Sequence, residues 1–183
     1  LPTTADGTVL TTTNPKSGNI IQVVATNVIL DSSVAVQSGT IVDTPATVTI
    51  TSTAANSKFL ISASIGGEAS TDDHNIGFVL QRVIGGTTTS INTGNAVNNR
   101  LGISFMMPVG YHGDDQSTTA STSVMPPYLD SPSQSASTAI TYKIGVVGLG
   151  TTGNFYFGRT VSDTNNNTNE RLPNYITVQE VAA

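Results

Sequence analysis

A strict alternation of apolar and polar side chains constrains the fold more than any other feature of this sequence. In TPATVTITST, Ala46, Val48 and Ile50 alternate with threonines, and the closing segment NYITVQEVAA shows the same period at Ile176 and Val178. Such alternation places the apolar side chains on one face of a half-buried strand. Thr, Ser, Asn and Gly are abundant and long helix-forming windows are missing, so the sequence predicts an all-β domain.

Further strand patterns follow one another along the chain with turn signals between them. The spacing predicts about eight strands in an antiparallel β-sandwich of jelly-roll type. Segments 44–53 and 58–67 are expected to pair as an antiparallel hairpin, and GVVGLGTTG to form a hairpin turn. Chain ends fray unless a sheet holds them, so the closing segment should be a strand with partners.

The length of 183 residues suits one domain, since a chain of about 150 residues buries roughly 68–70% of its unfolded surface. Residues 1–18 are Thr-rich and too polar for a core, so we expect an arm or linker there and one β-domain over residues 19–183. The chain lacks an initiator methionine and a signal-peptide pattern, which suggests a piece of a longer protein or a processed product.

Composition excludes several function classes. Only 10% of residues are charged and the formal net charge is -5, so no basic surface is expected to neutralise nucleic acid or an anionic membrane. The absence of cysteine excludes disulfides and thiolate zinc sites, and stability must come from packing or assembly. No apolar run approaches the roughly 18 residues of a membrane-spanning helix.

The stretch from Pro108 to Ser137 is polar and too long for a hairpin loop. Loops above roughly 12–15 residues are usually functional or ordered by a partner. Tyr111 and Tyr128 flank this stretch, and exposed tyrosines among small polar residues are typical of binding surfaces, although packing beneath the loop is an equal alternative. Aromatic rings beside carboxylates suit sugar recognition, and the predicted receptor-binding residues are Tyr111, His112, Asp114, Asp115 and Tyr128.

Each of the two histidines lies beside paired carboxylates, His74 in TDDHN and His112 in YHGDDQ. Imidazole and carboxylate groups can ligate a divalent ion, but the spacing matches no calcium loop or HExxH helix. Turn-forming hydrogen bonds are the favoured interpretation, and neither a metal nor a cofactor is expected. A hydrolytic set of His112, Asp130 and Ser131 can be drawn on paper, yet nothing in the sequence brings these residues together.

Five motifs in order resemble a family of tail-fibre and related virion proteins from tailed phages, especially marine and cyanobacterial ones. They are GNIIQVV, TVTITSTAANSKFLISASIGG, FVLQRVIGGTTTSI, YLDSPSQSASTAITYKI and ITVQEV, within residues 18–183. The resemblance implies a β-sandwich knob at a fibre tip, usually a homotrimer, exposed on the virion and in contact with the host surface. The arm would then lie on the shaft side and contact other virion proteins. The family supplies no binding-residue signature that carries over.

Three functions follow as hypotheses. The leading one is a non-enzymatic receptor-binding domain whose loops, from Glu68 to Asn75 and from Pro108 to Ser137, recognise a host polysaccharide or envelope protein. The second is a purely structural virion component, such as a capsid decoration, collar or fibre-joint protein, with those loops ordered against neighbouring subunits. The third, a capsule depolymerase, is disfavoured because such enzymes need clustered carboxylates, commonly on a longer repetitive β-helix.

Overall fold

The computed structural model describes residues 15–28, 32–71, 75–107 and 119–183, and every regular element in these ranges is a β-strand. The described residues contain no helix that is long and apolar enough to cross a membrane. The strands are β1 Ile20–Val28, β2 Ser32–Val36, β3 Val42–Thr51, β4 Lys58–Ala69, β5 Ile76–Ile84, β6 Thr87–Ile91, β7 Phe105–Met106, β8 Ser121–Asp130, β9 Ala139–Gly148, β10 Gly153–Phe157 and β11 Asn174–Val181.

The first sheet has six strands and is built around β4. β8 pairs along one edge of β4, while β11 and then β10 pair along the other edge. β1 extends the sheet beyond β11, and β2 extends it beyond β10. β11 therefore has an antiparallel neighbour on each side, which confirms the prediction that a sheet holds the closing segment.

The second sheet has five strands, in the order β3-β9-β5-β6, with the short β7 beside β5. β5 and β6 form a hairpin whose turn, Gly85 and Gly86, has positive φ angles of 57° and 81°. Glycine adopts this left-handed backbone without a steric penalty, which is why a tight two-residue turn fits here. All strand pairs in both sheets are antiparallel, so the predicted all-β antiparallel fold is confirmed, with eleven described strands.

The two sheets enclose one hydrophobic core, and the alternation in the sequence identifies the faces that line it. Ala46, Val48 and Ile50 of β3 are at most 2% exposed, and Ile176 and Val178 of β11 are 0% exposed. Large aromatic side chains fill the middle of this core and meet edge to face or in offset stacks. They are Phe59, Phe78, Phe105, Tyr142, Phe155 and Phe157.

Two predicted hairpins are wrong. β3 pairs with β9 in the second sheet, whereas β4 belongs to the first, so residues 52–57 cross from one sheet to the other. The glycine-rich stretch after β9 likewise leads into β10 of the opposite sheet. Alternation determines which face of a strand is buried, but it does not determine which strand lies beside it.

The predicted loop from Pro108 to Ser137 contains a strand of ten residues, β8. β8 pairs with β4 on one side and with no other strand in the described part of the chain. It contains Pro126 and Pro127, and its register with β4 shifts where they lie. Proline cannot donate a ladder hydrogen bond, but it is tolerated at edge strands and bulges. The edge position and the register shift therefore allow a strand in a segment whose prolines predict a loop.

The sandwich has two distinct ends. At the terminal end, which comprises residues 15–19, 52–57, 131–138 and 182–183, Gly18 N donates to Ala182 O at 3.0 Å and Asn56 N to Gln134 O at 3.0 Å. The loop end carries the turns at residues 37–41 and 149–152, where Gly39 N donates to Gly148 O at 2.9 Å. The chain therefore enters and leaves the described fold at the terminal end. Most of the predicted arm, residues 1–14, lies outside the described residues.

Glu180 fixes the terminal end from inside the sandwich. Its residue exposure is 0%, and its carboxylate accepts hydrogen bonds from Gln22 Nε2 at 2.6 Å and from Thr53 N at 2.8 Å. Burial raises the pKa of this carboxyl, but hydrogen bonds from Ser57, Gln22 and Thr53 lower it further, so the net shift of the pKa is downward. The group thus stays ionised and joins β1, β11 and the crossing segment 52–57.

Candidate functional site

Four of the five predicted receptor-binding residues, Tyr111, His112, Asp114 and Asp115, lie in residues 108–118, outside the described residues, as do residues 72–74 with the other histidine. The structure does describe both flanks of residues 108–118. Met107 N donates to Ile76 O at 3.0 Å and Thr119 N to Glu68 Oε1 at 3.4 Å. Both flanks belong to the loop end, since Ile76 pairs with Gly148.

Tyr128, the fifth predicted residue, is not beside a loop. It lies in β8 opposite Ile61 of β4 and is half-buried against the hydrophobic core. The next pairs along β8, ending at Asp130 opposite Phe59, lead towards the terminal end. Tyr128 therefore packs against the core from a strand and lies apart from the flanks of residues 108–118.

Glu68 is not a loop residue either, although the sequence predicts a loop from Glu68 to Asn75. It belongs to β4, and its residue exposure is 4%. Its Oε2 accepts a hydrogen bond from Val161 N at 2.7 Å, while Oε1 accepts the bond from Thr119 N. A buried carboxylate is tolerated when such bonds replace water. Glu68 therefore anchors two connections of the loop end to the sheet.

The connection between β10 and β11 carries a network of charged groups at residues 158–173. The Arg159 guanidinium carbon lies 4.5 Å from the centroid of the Tyr156 ring, and Arg159 Nε lies 4.0 Å from Asp163 Oδ2. Arg171 also forms an ion pair with Asp163. Glu170 Oε2 accepts a hydrogen bond from Ala120 N at 3.0 Å, just before β8. The charges of this connection thus bind one another or the backbone.

A cleft of about 520 Å³ opens at the loop end between three turns. One turn precedes β3, a second follows β9, and the third is the tip of the excursion between β6 and β7. The lining residues are Ser38, Gly39, Asn99, Arg100, Leu101, Gly148, Leu149 and Gly150. Clefts of roughly 300–1,000 Å³ are typical of sites for small molecules, so this one has a suitable size. We call it the Arg100 cleft.

Hydrogen bonds fix two walls of the Arg100 cleft. Gly39 N donates to Gly148 O at 2.9 Å, Gly148 N donates to Gln37 O at 2.9 Å, and Leu149 N donates to Asn75 O at 2.7 Å. A Cβ at Gly148 would lie 2.0 Å from Thr151 O, so only glycine fits where this turn closes. These two walls of the cleft are therefore formed by hydrogen-bonded backbone.

The third wall is an excursion of residues 92–104 that folds back over the outer face of the second sheet. Gly94 N donates to Ile103 O at 3.0 Å, and Arg100 N donates to Val97 O at 3.1 Å at the tip. Ile103 lies so close to Gly77 of β5 that a Cβ there would be 2.8 Å from Ile103 Cγ2. This apolar anchor positions Arg100 above the other two turns.

Arg100 differs from the other three arginines of the chain. Those three form ion pairs, Arg82 with Asp130, and Arg159 and Arg171 with Asp163. Arg100 is exposed, and in the described residues its guanidinium makes one hydrogen bond, from Nε to Val97 O at 3.4 Å, and no ion pair. The cleft therefore carries a local positive charge in a chain whose net charge is -5.

Asp130 belongs to a buried network that joins the two sheets, whereas His112 of the hydrolytic set lies outside the described residues. Its carboxylate is buried between the sheets, where Arg82 Nη1 donates to Oδ1 at 2.7 Å and to Oδ2 at 2.9 Å. The Tyr142 hydroxyl donates to Oδ2 at 2.9 Å. Burial and the neighbouring Asp130 charge raise the pKa of Tyr142 well above its ordinary value. This network ties β8 of the first sheet to β5 and β9 of the second.

Sequence reasoning did not identify the Arg100 cleft, because its lining comes from three segments far apart in the chain. In residues 15–28, 32–71, 75–107 and 119–183, no group of three or more His, Cys, Asp or Glu side chains lies close enough to hold a metal ion. Comparison of the sequence with models of known protein families gave no match, and a search of characterised proteins found no significant similarity.

Proposed function

We propose that this chain is a non-enzymatic host-binding domain at the distal tip of a phage tail fibre, with its loop end directed at the host surface. The supporting observation is the separation of the two ends of the sandwich. The chain enters the fold beside residue 182, whereas the flanks of residues 108–118 and the Arg100 cleft lie at the opposite end. A domain held by an arm at one end presents its other end to a target. The ordered motifs of the resemblance point to the same function.

The outer face of the first sheet supports assembly of several copies. One row across β8, β4, β11 and β1 consists of Leu129, Leu60, Gln179 and Val23, and Leu129 and Val23 are 48% and 57% exposed. The parallel row contains Val124 at 65% exposure, followed by Ser64, Tyr175 and Asn27. Neither row contains a charged residue. Rows without charge that expose aliphatic side chains are characteristic of surfaces that become buried, and Lys58, on the same face opposite Val181, lies beside the first row at the terminal end.

We therefore infer that the chain forms a homotrimer in which these two rows lie between protomers, since a second copy offers the same uncharged rows as a partner surface. Multi-angle light scattering tests the trimer. Leu129→Lys combined with Val124→Lys should dissociate it, because charges would be buried without partners. Thr88→Lys, on an exposed position of β6 in the other sheet, is the matched control and should leave the mass unchanged. A stable monomer at micromolar concentration contradicts the trimeric knob.

Whole-cell binding by the purified domain tests host recognition. Tyr111→Ala, or Asp114→Ala with Asp115→Ala, should weaken binding to host cells while the oligomer and its melting temperature stay nearly unchanged. Tyr128→Ala is not a clean test, because partial burial against the core predicts a loss of stability. Full binding by the intact oligomer of the first two variants would exclude residues 108–118 as the receptor site.

The two uncharged rows also favour the second function, a purely structural virion component in which the same surface contacts other virion proteins. Under that alternative, the domain should co-assemble with capsid or tail proteins and should not bind host cells. Substitutions in residues 108–118 should then disturb assembly before any other property. Measuring co-sedimentation with the virion and host-cell binding on the same preparation separates the two functions.

A further inference from the structure

We propose that the Arg100 cleft binds the carboxylate of an acidic saccharide. The inference rests on the proposed host-recognition function and gives it a chemical class of ligand. Uronic acids are sugar residues that combine one carboxylate with several neutral hydroxyl groups. The cleft combines one unpaired guanidinium with neutral hydrogen-bonding groups and two leucines, which is the complementary composition.

The charge at Arg100 is the first reason. A guanidinium matches a carboxylate with two parallel hydrogen bonds, which are stronger and more directional than those of neutral pairs. The other three arginines are already bound to carboxylates, whereas Arg100 forms no ion pair with any described residue. Apart from the Nε contact with Val97 O, its N–H groups are available to a ligand.

The remaining lining is the second reason. The Ser38 hydroxyl and the Asn99 amide are exposed and form no hydrogen bond with any described residue, so they are free to pair with sugar hydroxyls. Leu101 is 42% exposed and lines the cleft together with Leu149. Side chains of this kind suit the C–H face of a pyranose ring. A site that combines a few placed polar groups with apolar contact is typical of ligand pockets.

The rigidity of the walls is the third reason. The turns at residues 37–40 and 148–150 are bonded to each other, and the tip of the 92–104 excursion is held by its own hydrogen bonds and by Ile103. A site that is already formed does not lose binding energy in ordering its walls.

The overall charge argues for a saccharide with one carboxylate per sugar residue instead of a polyphosphate or nucleic acid. The cleft offers one cation within a chain of net charge -5, whereas ligands with several adjacent phosphates are held by several cations and are repelled by an acidic surface. One carboxylate flanked by neutral hydroxyls requires only one cation. Because a single exposed contact is screened by salt, binding should weaken as ionic strength rises.

The test is a titration of the full chain with the trimer of galacturonic acid, followed by calorimetry and by NMR shifts of the backbone amides. Galactotriose, which replaces each carboxylate by a CH₂OH group, is the matched neutral probe and should bind at least tenfold more weakly. Arg100→Gln should weaken binding of the acidic trimer about tenfold or more, since one charge-assisted pair is lost. Lys58→Gln, an exposed lysine at the start of β4, changes the net charge equally and should alter affinity less than about twofold.

Asn99→Asp is the second variant. It places a carboxylate beside Arg100 on an exposed position, so the fold should be retained while binding of the acidic trimer falls by a similar factor. NMR shifts confined to residues 37–40, 97–102 and 148–151 would support the site. Equal binding of galactotriose, unchanged binding by Arg100→Gln, or shifts located elsewhere would overturn it, and so would inorganic sulfate binding as tightly as the acidic trimer.

Failure of this inference and failure of the proposed function give different results. If the wild-type chain binds host cells but shows no response to the galacturonic acid trimer, host recognition stands and the saccharide site is refuted. If the chain binds no host cell but binds the galacturonic acid trimer as predicted, the cleft is a saccharide site and the proposed tail-fibre function is refuted.

Discussion

Tyr142→Phe offers the sharpest test of the buried network, because the substitution removes a single oxygen from a fully enclosed ring. The Tyr142 hydroxyl donates to Asp130 Oδ2 at 2.9 Å, and the residue is 0% exposed. A hydrogen bond to a charged group contributes about 1.5–3 kcal/mol to stability. Arg82 continues to bind both oxygens of Asp130 in the variant, so we expect a loss near the lower end of that range at pH 7.

The pH dependence of this loss carries the decisive information. Burial and Asp130 raise the pKa of Tyr142 in the folded protein, whereas a tyrosine in the unfolded chain titrates near pH 10. Above about pH 10 the unfolded state therefore releases a proton that the folded state keeps, and the folded protein loses stability as pH rises. Between pH 9 and pH 11 this loss amounts to about 1.4 kcal/mol, from a slope that approaches 1.36 kcal/mol per pH unit.

Phenylalanine cannot release that proton, so the stability difference between wild type and Tyr142→Phe should shrink by about 1.4 kcal/mol from pH 9 to pH 11. Urea unfolding followed by circular dichroism at pH 7, 9 and 11 measures this difference in the free energy of unfolding. All other titrating groups are common to both proteins, so their contributions cancel in the difference. Tyr175→Phe, which removes a hydroxyl from a residue 43% exposed in a single protomer, controls for the loss of a tyrosine when it is placed in the dissociated Leu129→Lys, Val124→Lys variant, and it should stay within about 0.5 kcal/mol of that variant. A difference that stays constant from pH 7 to pH 11 would refute the role assigned to Tyr142.

Three further predictions concern the fold. The lowered pKa of Glu180 adds stability that is present above the unfolded value of about 4.3 and is lost as pH falls through the folded value; Glu180→Gln should flatten the melting-temperature curve between pH 6 and pH 3, and an unaltered curve contradicts this. Ile176→Asp places an unpaired charge in the core, so circular dichroism should show no cooperative unfolding transition. Gly67→Ala brings a Cβ to 2.0 Å from Tyr156 O and should lower the free energy of unfolding in urea by roughly 1–3 kcal/mol. An unchanged urea midpoint would show that β4 and β10 can move apart at this point without a loss of stability.

The sequence predicted buried faces well, because a period of two depends only on the local backbone. Ile50, Ile176 and Val178 lie in the core as the pattern requires. Strand neighbours were predicted poorly, because pairing depends on contacts between segments far apart in the chain. β8 shows a different difficulty. Pro126 and Pro127 argue against a strand that has partners on both sides. In the described part of the chain β8 pairs only with β4, so it can be a strand in spite of its prolines.

The Arg100 cleft was beyond the reach of sequence patterns for a more basic reason. What distinguishes Arg100 is that it forms no ion pair with any carboxylate in the described part of the chain, and such contacts are set by the fold. The chain has 12 acidic and 7 basic residues, so carboxylates are in excess and most cations should find one. Asp130 and Asp163 take the other three arginines and Asp43 takes Lys143. Arg100 forms no ion pair with the residues that the structure describes, and Ile103 holds its turn in place. It can therefore exchange water for a ligand's carboxylate without first breaking one of those ion pairs.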